Sequence, residues 1–379
     1  MAPPGRHYFD WAATAVPALQ TESPKPGTFG NPSSLHAEGR EGKKFLEEAR
    51  SRCAAALGLK PETLYFSSGG TESNAIAVFS QLFRRGACLY SAVEHPSVWE
   101  NCRVLERLGR PVGLIPVEAD GRVSENSLKQ ALEKQPNTRF AAIMAVNNET
   151  GAVNDMAALA ALLRREGAVH IHCDMVQALG KIPVDISGWD IDSASISAHK
   201  LGGPRGIGLL YLKKPLETLY RGGGQEGGVR PGTENTAGAL ALASCLEEYN
   251  QREALEGAWQ GARERLDRLM RGLEGLGRYS PIPRERHDAG DRRFSPYILQ
   301  AAFDGVPGEV MVRALDQAGF AVSTGSACSS SKAGRPVLEA MGIEAKLRLE
   351  GIRISQGRST GAEEIDLLVR AVGDCLEYL

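Results

Sequence analysis

The stretch Asp192-Ser-Ala-Ser-Ile-Ser-Ala-His-Lys200-Leu-Gly-Gly-Pro-Arg-Gly-Ile-Gly208 predicts a half-buried strand, then a polar pair, and then a glycine-rich turn. Lys200 stands at the end of the strand, where glycines let another group come close. A partly desolvated amine loses its preference for the charged form and becomes nucleophilic. Such amines form Schiff bases with carbonyl compounds. A surface lysine in a β-hairpin is the alternative, and the rest of the sequence is needed to choose between them.

Strand and helix signals alternate on the N-terminal side of this stretch. Apolar runs recur over residues 87–93, 112–117, 139–146 and 168–173, and helical segments lie between most of them. This alternation predicts an α/β fold with a mainly parallel sheet covered by helices. Because ligands gather beyond the carboxyl ends of parallel strands, the polar residues at those ends are candidates for a single site. They are Thr71, His95, Asn148, Asp174, Gln177, His199 and Lys200.

One turn in this region is suited to binding phosphate. A strand over 62–67 runs into Ser68-Gly-Gly-Thr-Glu-Ser-Asn74, and a helix is predicted over 75–84. A strand, a Gly/Ser/Thr turn and a helix together place free backbone N–H groups and the positive end of a helix against an anion. The turn matches neither a Walker A nor a GxGxxG pattern, which excludes those two classes of nucleotide site.

The chain changes character near residue 250. The glycine-rich segment 221–234 before this point is either a flexible linker or an ordered loop, and a charged amphipathic helix over 252–276 follows it. Shorter strands then mix with helices, which predicts a smaller α+β domain. We therefore expect a large domain over 16–249 and a small domain formed by 1–15 and 250–379.

Composition and charge exclude several classes of protein. The 379 residues are 42% hydrophobic and 24% charged, and the formal net charge is −2, so neither nucleic acid nor an anionic membrane is an expected partner. No apolar run reaches the roughly 18 residues that span a bilayer, and the first residues lack the apolar core of a signal peptide. The seven cysteines are scattered without metal-ligand spacing. They predict reduced thiols in a cytoplasmic protein and no metal site.

The candidate residues match the needs of a pyridine-aldehyde cofactor, pyridoxal 5'-phosphate. Lys200 supplies the amine, and Asp174 supplies the anion that keeps the ring nitrogen protonated. Phosphate donors are the backbone at Gly70 and Thr71, the Thr71 hydroxyl, and Ser197 or His199. His95 is placed to stack on the ring. Taken alone, Asp174 could instead be a helix N-cap and His95 a hydrogen-bonded loop histidine.

Motifs along nearly the whole chain resemble those of the class V aminotransferase family of fold-type I pyridoxal phosphate enzymes. Within that family, the similarity is to cysteine desulfurases of the NifS/IscS type. The motifs are Tyr8-Phe-Asp10, Asn31-Pro-Ser-Ser-Leu-His36, Ser68-Gly-Gly-Thr-Glu-Ser-Asn74, Glu94-His95, Val146-Asn-Asn-Glu-Thr-Gly151, Asp174-Met-Val-Gln177, Ser197-Ala-His-Lys200, Gly222 to Thr233, Ser323-Thr-Gly-Ser-Ala-Cys328 and Ile352-Arg-Ile-Ser355.

The resemblance implies a homodimer that converts L-cysteine to L-alanine. It implies that Thr233 reaches the phosphate of the neighbouring subunit's cofactor, and that Asn148 and Gln177 touch the pyridoxal hydroxyl. It further implies that Arg353 and Asn31 bind the substrate carboxylate. The sulfur would be transferred to a cysteine of the small domain as a persulfide and then delivered to an acceptor or scaffold protein, for iron–sulfur cluster or other thio-cofactor synthesis.

The resemblance places this nucleophile at Cys328. Independently, Gly325-Ser-Ala-Cys-Ser-Ser-Ser-Lys-Ala-Gly334 is small and polar, which favours an accessible thiol over a core cysteine. The segment 329–337 lacks the Leu-Glu-Pro-Ser that is usual in the family, so the sequence does not identify the sulfur acceptor. Two other functions remain open at this point: a selenocysteine lyase or another class V enzyme, and a non-catalytic scaffold with the same fold.

Overall fold

The computed structural model describes residues 5–17, 29–167, 169–249, 252–325 and 334–379. The strands are β1 (His7–Tyr8), β2 (Leu64–Ser67), β3 (Ala87–Ser91), β4 (Val112–Ile115), β5 (Thr138–Ala142), β6 (His170–Asp174), β7 (Ser193–Ser197), β8 (Gly208–Leu212), β9 (Tyr279–Ile282), β10 (Ile298–Phe303), β11 (Phe320–Ala321) and β12 (Gly351–Ser355). The helices are α1 (Ala37–Leu57), α2 (Gly70–Phe79), α3 (Pro96–Arg107), α4 (Glu125–Lys134), α5 (Met156–Glu166), α6 (Thr236–Tyr249), α7 (Arg252–Glu274), α8 (Gly308–Gln317), α9 (Pro336–Ala340), α10 (Ala345–Glu350) and α11 (Ala362–Tyr378).

A seven-stranded sheet is the centre of the fold, with strand order β2-β8-β7-β6-β5-β3-β4. Strands β3 to β7 pair in parallel, whereas β8 runs antiparallel to both β2 and β7. Every residue of β3, β6, β7 and β8 is buried, as expected for strands covered on both faces. The predicted α/β class with a mainly parallel sheet is confirmed.

The helix after β2 begins earlier than the sequence predicts. It starts at Gly70 rather than near residue 75, so Gly70 and Thr71 belong to its first turn. The run Gly-Thr-Glu-Ser-Asn has low helix propensity, but Gly69 at φ +148° turns the chain directly from the strand into the helix. The predicted phosphate-binding residues therefore lie at the helix N-terminus itself.

A second sheet lies toward the C-terminus, with order β12-β10-β9 and antiparallel pairing. Residues His7 and Tyr8 of β1 pair with Phe320 and Ala321 of β11, which joins the N-terminal residues to this part of the chain. A separate apolar cluster packs here, built on β10, β12, α7, α8 and α11. The sequence reading missed β9, α9 and α10, which are short. The division into domains at residue 249 stays a prediction.

The glycine-rich segment 221–234 is an ordered loop rather than a free linker. Glu226, which is buried at φ +48°, accepts hydrogen bonds from both terminal nitrogens of Arg50 on α1, at 2.8 and 2.7 Å. It also accepts a bond from the backbone N–H of Phe66 on β2, at 2.6 Å. These contacts fix the middle of the loop to the central sheet. Among the helices that the structure describes, none is long and apolar enough to cross a membrane.

Candidate active site

A cavity of about 240 Å³ opens beyond the carboxyl ends of the central strands. It collects most of the side chains that the sequence singled out. The predicted residues that line it are Gly70, Thr71, His95, Asn148, Asp174, Gln177, Ser197, His199, Lys200 and Arg353. These residues come from six separate segments of the chain and from both sheets.

Lys200 lies in a short 3₁₀ turn directly after β7 and is largely buried. Its Nζ donates to the carbonyl oxygens of Ala12 at 2.5 Å and Ala13 at 2.7 Å. Burial, together with the positive charge of Arg353, lowers the pKa of Lys200 from 10.5 to about 8, against the opposing charges of Asp10 and Asp174. About a tenth of the amine is therefore neutral at pH 7. A lowered pKa suits a nucleophilic amine, and a lysine that is partly buried and bonded to two carbonyl groups is not an ordinary solvated surface lysine.

A larger cavity of about 540 Å³ shares Lys200 as a lining residue. Lys181 also lines it, is buried, and has a pKa lowered by burial to about 7. The Nζ of Lys181 donates to Gln177 Oε1 at 2.5 Å. Asp174 and His95 do not line this larger cavity. We assign the site to the smaller one, because the carboxylate, the imidazole and the helix N-terminus meet there.

Asp174 is the last residue of β6 and is 5% exposed. Its Oδ2 accepts a hydrogen bond from Asn74 Nδ2 at 2.8 Å, and its Oδ1 accepts one from the backbone N–H of Val176 at 3.0 Å. A carboxylate held in this way at a strand end can serve as a fixed anion toward a ring nitrogen in the cavity. The helix N-cap alternative for Asp174 is not what the structure shows, because no α-helix begins there.

The N-terminus of α2 forms one wall of the cavity. The first N–H groups of a helix have no partner within the helix, so Gly70 and Thr71 offer donors to an anion. A Cβ atom on Gly70 would lie 2.5 Å from Val176 Cγ2, so a larger residue at this position would require Val176 to move. Arg230, from the glycine-rich loop, pairs with Glu72 in the same helical turn at 3.2 Å.

Ser197 and His199, which lie just before Lys200 in the sequence, line the same cavity. Ser197 is 4% exposed at the end of β7. His199 Nδ1 is 3.1 Å from Thr14 Oγ1, and burial lowers the pKa of His199 to about 4, so this imidazole is neutral at pH 7. Both residues are available as hydrogen-bond donors to a phosphate, and the geometry does not choose between them.

His95 is the N-cap of α3, and it lines the cavity together with Asp174. Its Nδ1 accepts a hydrogen bond from the backbone N–H of Ser97 at 3.1 Å and lies 2.8 Å from Ser97 Oγ. Burial lowers the pKa of His95, and the charge of Lys200 acts in the same direction, whereas the charge of Asp174 opposes it. The alternative of a hydrogen-bonded loop histidine is therefore right about the hydrogen bonding, because His95 caps α3. It is incomplete, because His95 also lines the cavity.

Arg353 reaches the cavity from β12 of the second sheet and is 2% exposed. Its Nη1 donates to the carbonyl oxygen of Asn148, and its Nη2 donates to Asp10 Oδ1, both at 2.8 Å. Its Nε is buried and has no hydrogen-bond partner among the described residues. A guanidinium has five N–H donors, so most of them stay available to a bound carboxylate.

Two predicted residues are not brought into this cavity, and a third lies outside the described residues. Asn31 is exposed ahead of α1, where its Oδ1 accepts a bond from Ser33 N, and Thr233 is exposed on the glycine-rich loop. Cys328 falls in segment 326–333, outside the described residues. Gly325, three positions before Cys328, does line the cavity.

Both flanks of segment 326–333 are fixed beside the cavity. Arg335 Nη2 donates to the carbonyl oxygen of Thr324, and Nη1 donates to the carbonyl oxygen of Gly351 at 2.7 Å. A Cβ atom on Gly325 would lie 2.8 Å from Glu149 Oε2. The other six cysteines, which the structure does describe, are all buried.

Several site residues escaped the sequence reading. Asn74, Ser97 and Asp10 each contact a predicted residue directly. Asn74 gave a usable signal, because a polar residue stands one helical turn after Gly70, on the face that must pack against the sheet.

Comparison with known proteins agrees with this geometry. The chain matches the family described as aminotransferase class-V over residues 7–368. It is 39% identical over 387 residues to a cysteine desulfurase of Cereibacter sphaeroides, covering 99% of this chain and 96% of the relative. It is 36% identical over 390 residues to a NifS/IcsS protein homolog of Lactobacillus delbrueckii subsp. bulgaricus, and the match covers 98% of this chain and 97% of that relative. A solved structure described as a NifS-like protein superposes with a TM-score of 0.89 at 31% identity, covering 99% of this chain and all of that one.

Proposed function

The chain belongs to the aminotransferase class-V family, among the cysteine desulfurases of the NifS/IscS type, and we propose that it removes sulfur from L-cysteine with pyridoxal 5'-phosphate as cofactor. In the overall reaction, L-cysteine and the thiol of Cys328 give L-alanine and a persulfide on Cys328. The Cβ–Sγ bond of the substrate breaks and an S–S bond forms. The substrate carbon is reduced and its sulfur is oxidised, so no external redox agent is needed.

The observation that carries this proposal is the meeting of Lys200, Asp174, His95 and Arg353 in one cavity whose wall includes Gly325. The residues present fit the cofactor. The partly neutral amine of Lys200 matches its aldehyde, and the fixed carboxylate of Asp174 matches its ring nitrogen. The N-terminus of α2, which begins with the closely packed Gly70, matches its phosphate. When bound, pyridoxal phosphate supplies a ring that withdraws electrons from the substrate.

The residues of the chain have distinct proposed roles around that group. Lys200 holds the cofactor covalently and moves a proton at Nζ. Asp174 holds the ring nitrogen, Asn148 and Gln177 hold the ring hydroxyl, and His95 covers the ring. Gly70, Thr71, Ser197 and His199 hold the phosphate. Arg353 orients the substrate through its carboxylate, which places the substrate sulfur toward the segment that carries Cys328.

The nucleophile itself is assigned by elimination together with the resemblance. A thiolate is needed to attack sulfur. Burial raises the pKa of all six other cysteines, which favours the protonated thiol at each: Cys53, Cys88, Cys102, Cys173, Cys245 and Cys375. Cys328 is left as the candidate, in a segment whose flanks lie at the cavity.

The assembly is proposed to be a homodimer that delivers sulfur to an acceptor protein. Thr233 is exposed and away from the cavity of its own subunit, which suits a role toward the cofactor of the neighbouring subunit. Asn31 is likewise exposed, so its predicted contact with the substrate carboxylate requires a rearrangement of the segment ahead of α1. The buried free thiols suit a reducing compartment, and we place the protein in the cytoplasm.

Two experiments test the proposal. Borohydride reduction of the pyridoxal phosphate-loaded protein, followed by peptide mapping, should place the cofactor on Lys200. The control is Lys181→Met, which removes the other lysine of lowered pKa and should leave the adduct in place; an adduct on Lys181 would contradict the assignment. Alanine formation from L-cysteine should exceed that from selenocysteine, and the reverse preference would favour a selenocysteine lyase.

A further inference from the structure

A continuous network of buried hydrogen bonds connects Asp174 to His95 along one wall of the cavity, and its middle members Asn74 and Ser97 also line that cavity. Its centre is Asn74 on α2, which is 1% exposed. Asn74 Nδ2 lies 2.8 Å from Asp174 Oδ2 and 2.8 Å from Ser97 Oγ. Asn74 Oδ1 lies 2.9 Å from His172 Nε2. The whole amide is therefore engaged, and each partner is itself buried.

The chemistry of the partners fixes the direction of these bonds. A carboxylate accepts hydrogen bonds and cannot donate them, so the group that faces Asp174 must be the amide NH₂ of Asn74. Its oxygen then faces His172, and His172 must carry its proton on Nε2. His172 Nδ1 becomes an acceptor for the Ser193 hydroxyl, 2.8 Å away. Ser193 Oγ in turn accepts from His170 Nε2 at 2.8 Å.

The orientation of Asn74 extends through Ser97 to His95. The second amide hydrogen of Asn74 points to Ser97 Oγ, so the Ser97 hydroxyl is free to donate to His95 Nδ1, 2.8 Å away. The backbone N–H of Ser97 donates to the same nitrogen at 3.1 Å. The Ser97 hydroxyl can donate or accept, but the backbone N–H can only donate, so a proton on Nδ1 would face that N–H at close range. The proton of neutral His95 must lie on Nε2, the other ring nitrogen.

We propose that Asn74 is a positioning residue for the reaction: oriented by His172, it holds the Asp174 carboxylate and, through the Ser97 hydroxyl, keeps the proton of His95 on Nε2. The inference rests on the proposed function, because it gives Asp174 and His95 their importance. It specifies that His95 offers an N–H donor toward the cavity and that its second nitrogen is not available as a base. One amide thereby couples the two groups that flank the cofactor ring.

The test is ¹⁵N NMR of pyridoxal phosphate-loaded protein labelled at the histidine ring nitrogens. The His95 resonances are assigned by comparison with His95→Gln. Wild-type protein should show the pattern of a neutral ring protonated on Nε2. Ser97→Ala removes the hydroxyl but keeps the backbone N–H donor, so it should shift the His95 Nδ1 resonance, which loses one hydrogen bond, and leave the affinity for pyridoxal phosphate unchanged within about twofold. Asn74→Ala should alter the pattern and also weaken pyridoxal phosphate binding by about tenfold or more, since it removes a hydrogen bond to a charged group.

Asn101→Ala is the matched control. Asn101 lies on α3 and donates to the carbonyl oxygen of Ser97 at 2.7 Å without touching its hydroxyl, so this change should alter neither readout. A wild-type His95 protonated on Nδ1, or an unchanged His95 pattern in both Ser97→Ala and Asn74→Ala, would overturn the proposal. If Asn74→Ala does not fold, Ser97→Ala still tests the His95 branch. A failure of the proposed function can be told apart from a failure of this inference. In that case wild-type protein would form no alanine, although the ¹⁵N pattern of the His95 ring could still be measured.

Discussion

Glu94 provides a direct test of how the core next to the site is charged. It is 2% exposed, and its Oε1 accepts hydrogen bonds from the Ser91 hydroxyl and the backbone N–H of Met144, both at 2.6 Å. Its Oε2 is buried and has no partner among the described residues. Burial raises the pKa of Glu94 from 4.5 to about 8; the bond from Ser91 opposes this shift and the charge of Asp174 adds to it. The folded protein therefore keeps Glu94 protonated at neutral pH.

The perturbation is Glu94→Gln, which preserves shape and cannot ionise. Between pH 4.5 and 8 the folded state binds a proton that the unfolded state has lost, so the free energy of unfolding falls as the pH rises. At 1.36 kcal/mol per pKa unit, the wild type should lose roughly 3–4 kcal/mol of its free energy of unfolding between pH 5 and 8 relative to the variant. The stabilisation is complete below pH 4.5 and is lost as the pH rises through 8.

The assay is urea unfolding of both proteins at pH 5, 6, 7 and 8, at fixed protein and cofactor concentrations. At each pH only the difference in free energy of unfolding between the two proteins is used, because the contributions of other titrating groups cancel in it. Glu100→Gln, at an exposed position on α3, serves as the surface control and should give a flat difference. The reasoning would be refuted if the difference in free energy of unfolding between wild type and Glu94→Gln were also constant from pH 5 to 8.

Three further predictions concern the site and its support. Asp174→Ala should bind pyridoxal phosphate weakly and form no alanine, because a neutral pyridine is a poor electron acceptor; a fully active variant in a cofactor titration and alanine assay would contradict this. His95 is expected to move a proton at Nε2 as well as to stack on the ring, so His95→Ala should retain the cofactor but lose turnover by a factor on the order of 10² to 10⁴, measured as alanine formed per minute. Full turnover would remove the proton-transfer role and leave only stacking. Glu226→Ala should lower the free energy of unfolding by up to about 3–5 kcal/mol, since it removes the buried carboxylate that pairs with Arg50, whose side chain is 10% exposed, and leaves only Glu47, which is half exposed, as its ionic partner. A loss below about 1 kcal/mol in urea unfolding would show that other contacts hold the glycine-rich loop.

Much of the site could be predicted because it follows from strand ends. Asp174 ends one buried strand, and Lys200 and His95 come shortly after two others, so the parallel sheet alone brings them together. Arg353 is different. It lies in a strand of the second sheet, and no local pattern indicates that this strand faces the cavity, so only the resemblance predicted its role.

The missed features depend on packing between distant segments. Asn74 contacts His172, 98 positions away, and a pairing of that kind has no local sequence signal. Arg353 pairs with Asp10 across 343 positions for the same reason. The start of α2 was misplaced because propensity disfavours Gly70 and Thr71 in a helix, whereas the sharp turn at Gly69 brings them into it.

The most direct measurement of the central claim is one turnover of Cys328→Ser with L-cysteine. A serine hydroxyl cannot accept sulfur, while Lys200, Asp174 and Arg353 stay in place. The variant should therefore keep its visible cofactor absorption, change that absorption when L-cysteine is added, and form no alanine. Thiol labelling of the wild type after one turnover should locate a persulfide at position 328. Undiminished alanine formation by the variant, with no persulfide at position 328 in the wild type, would contradict the desulfurase mechanism.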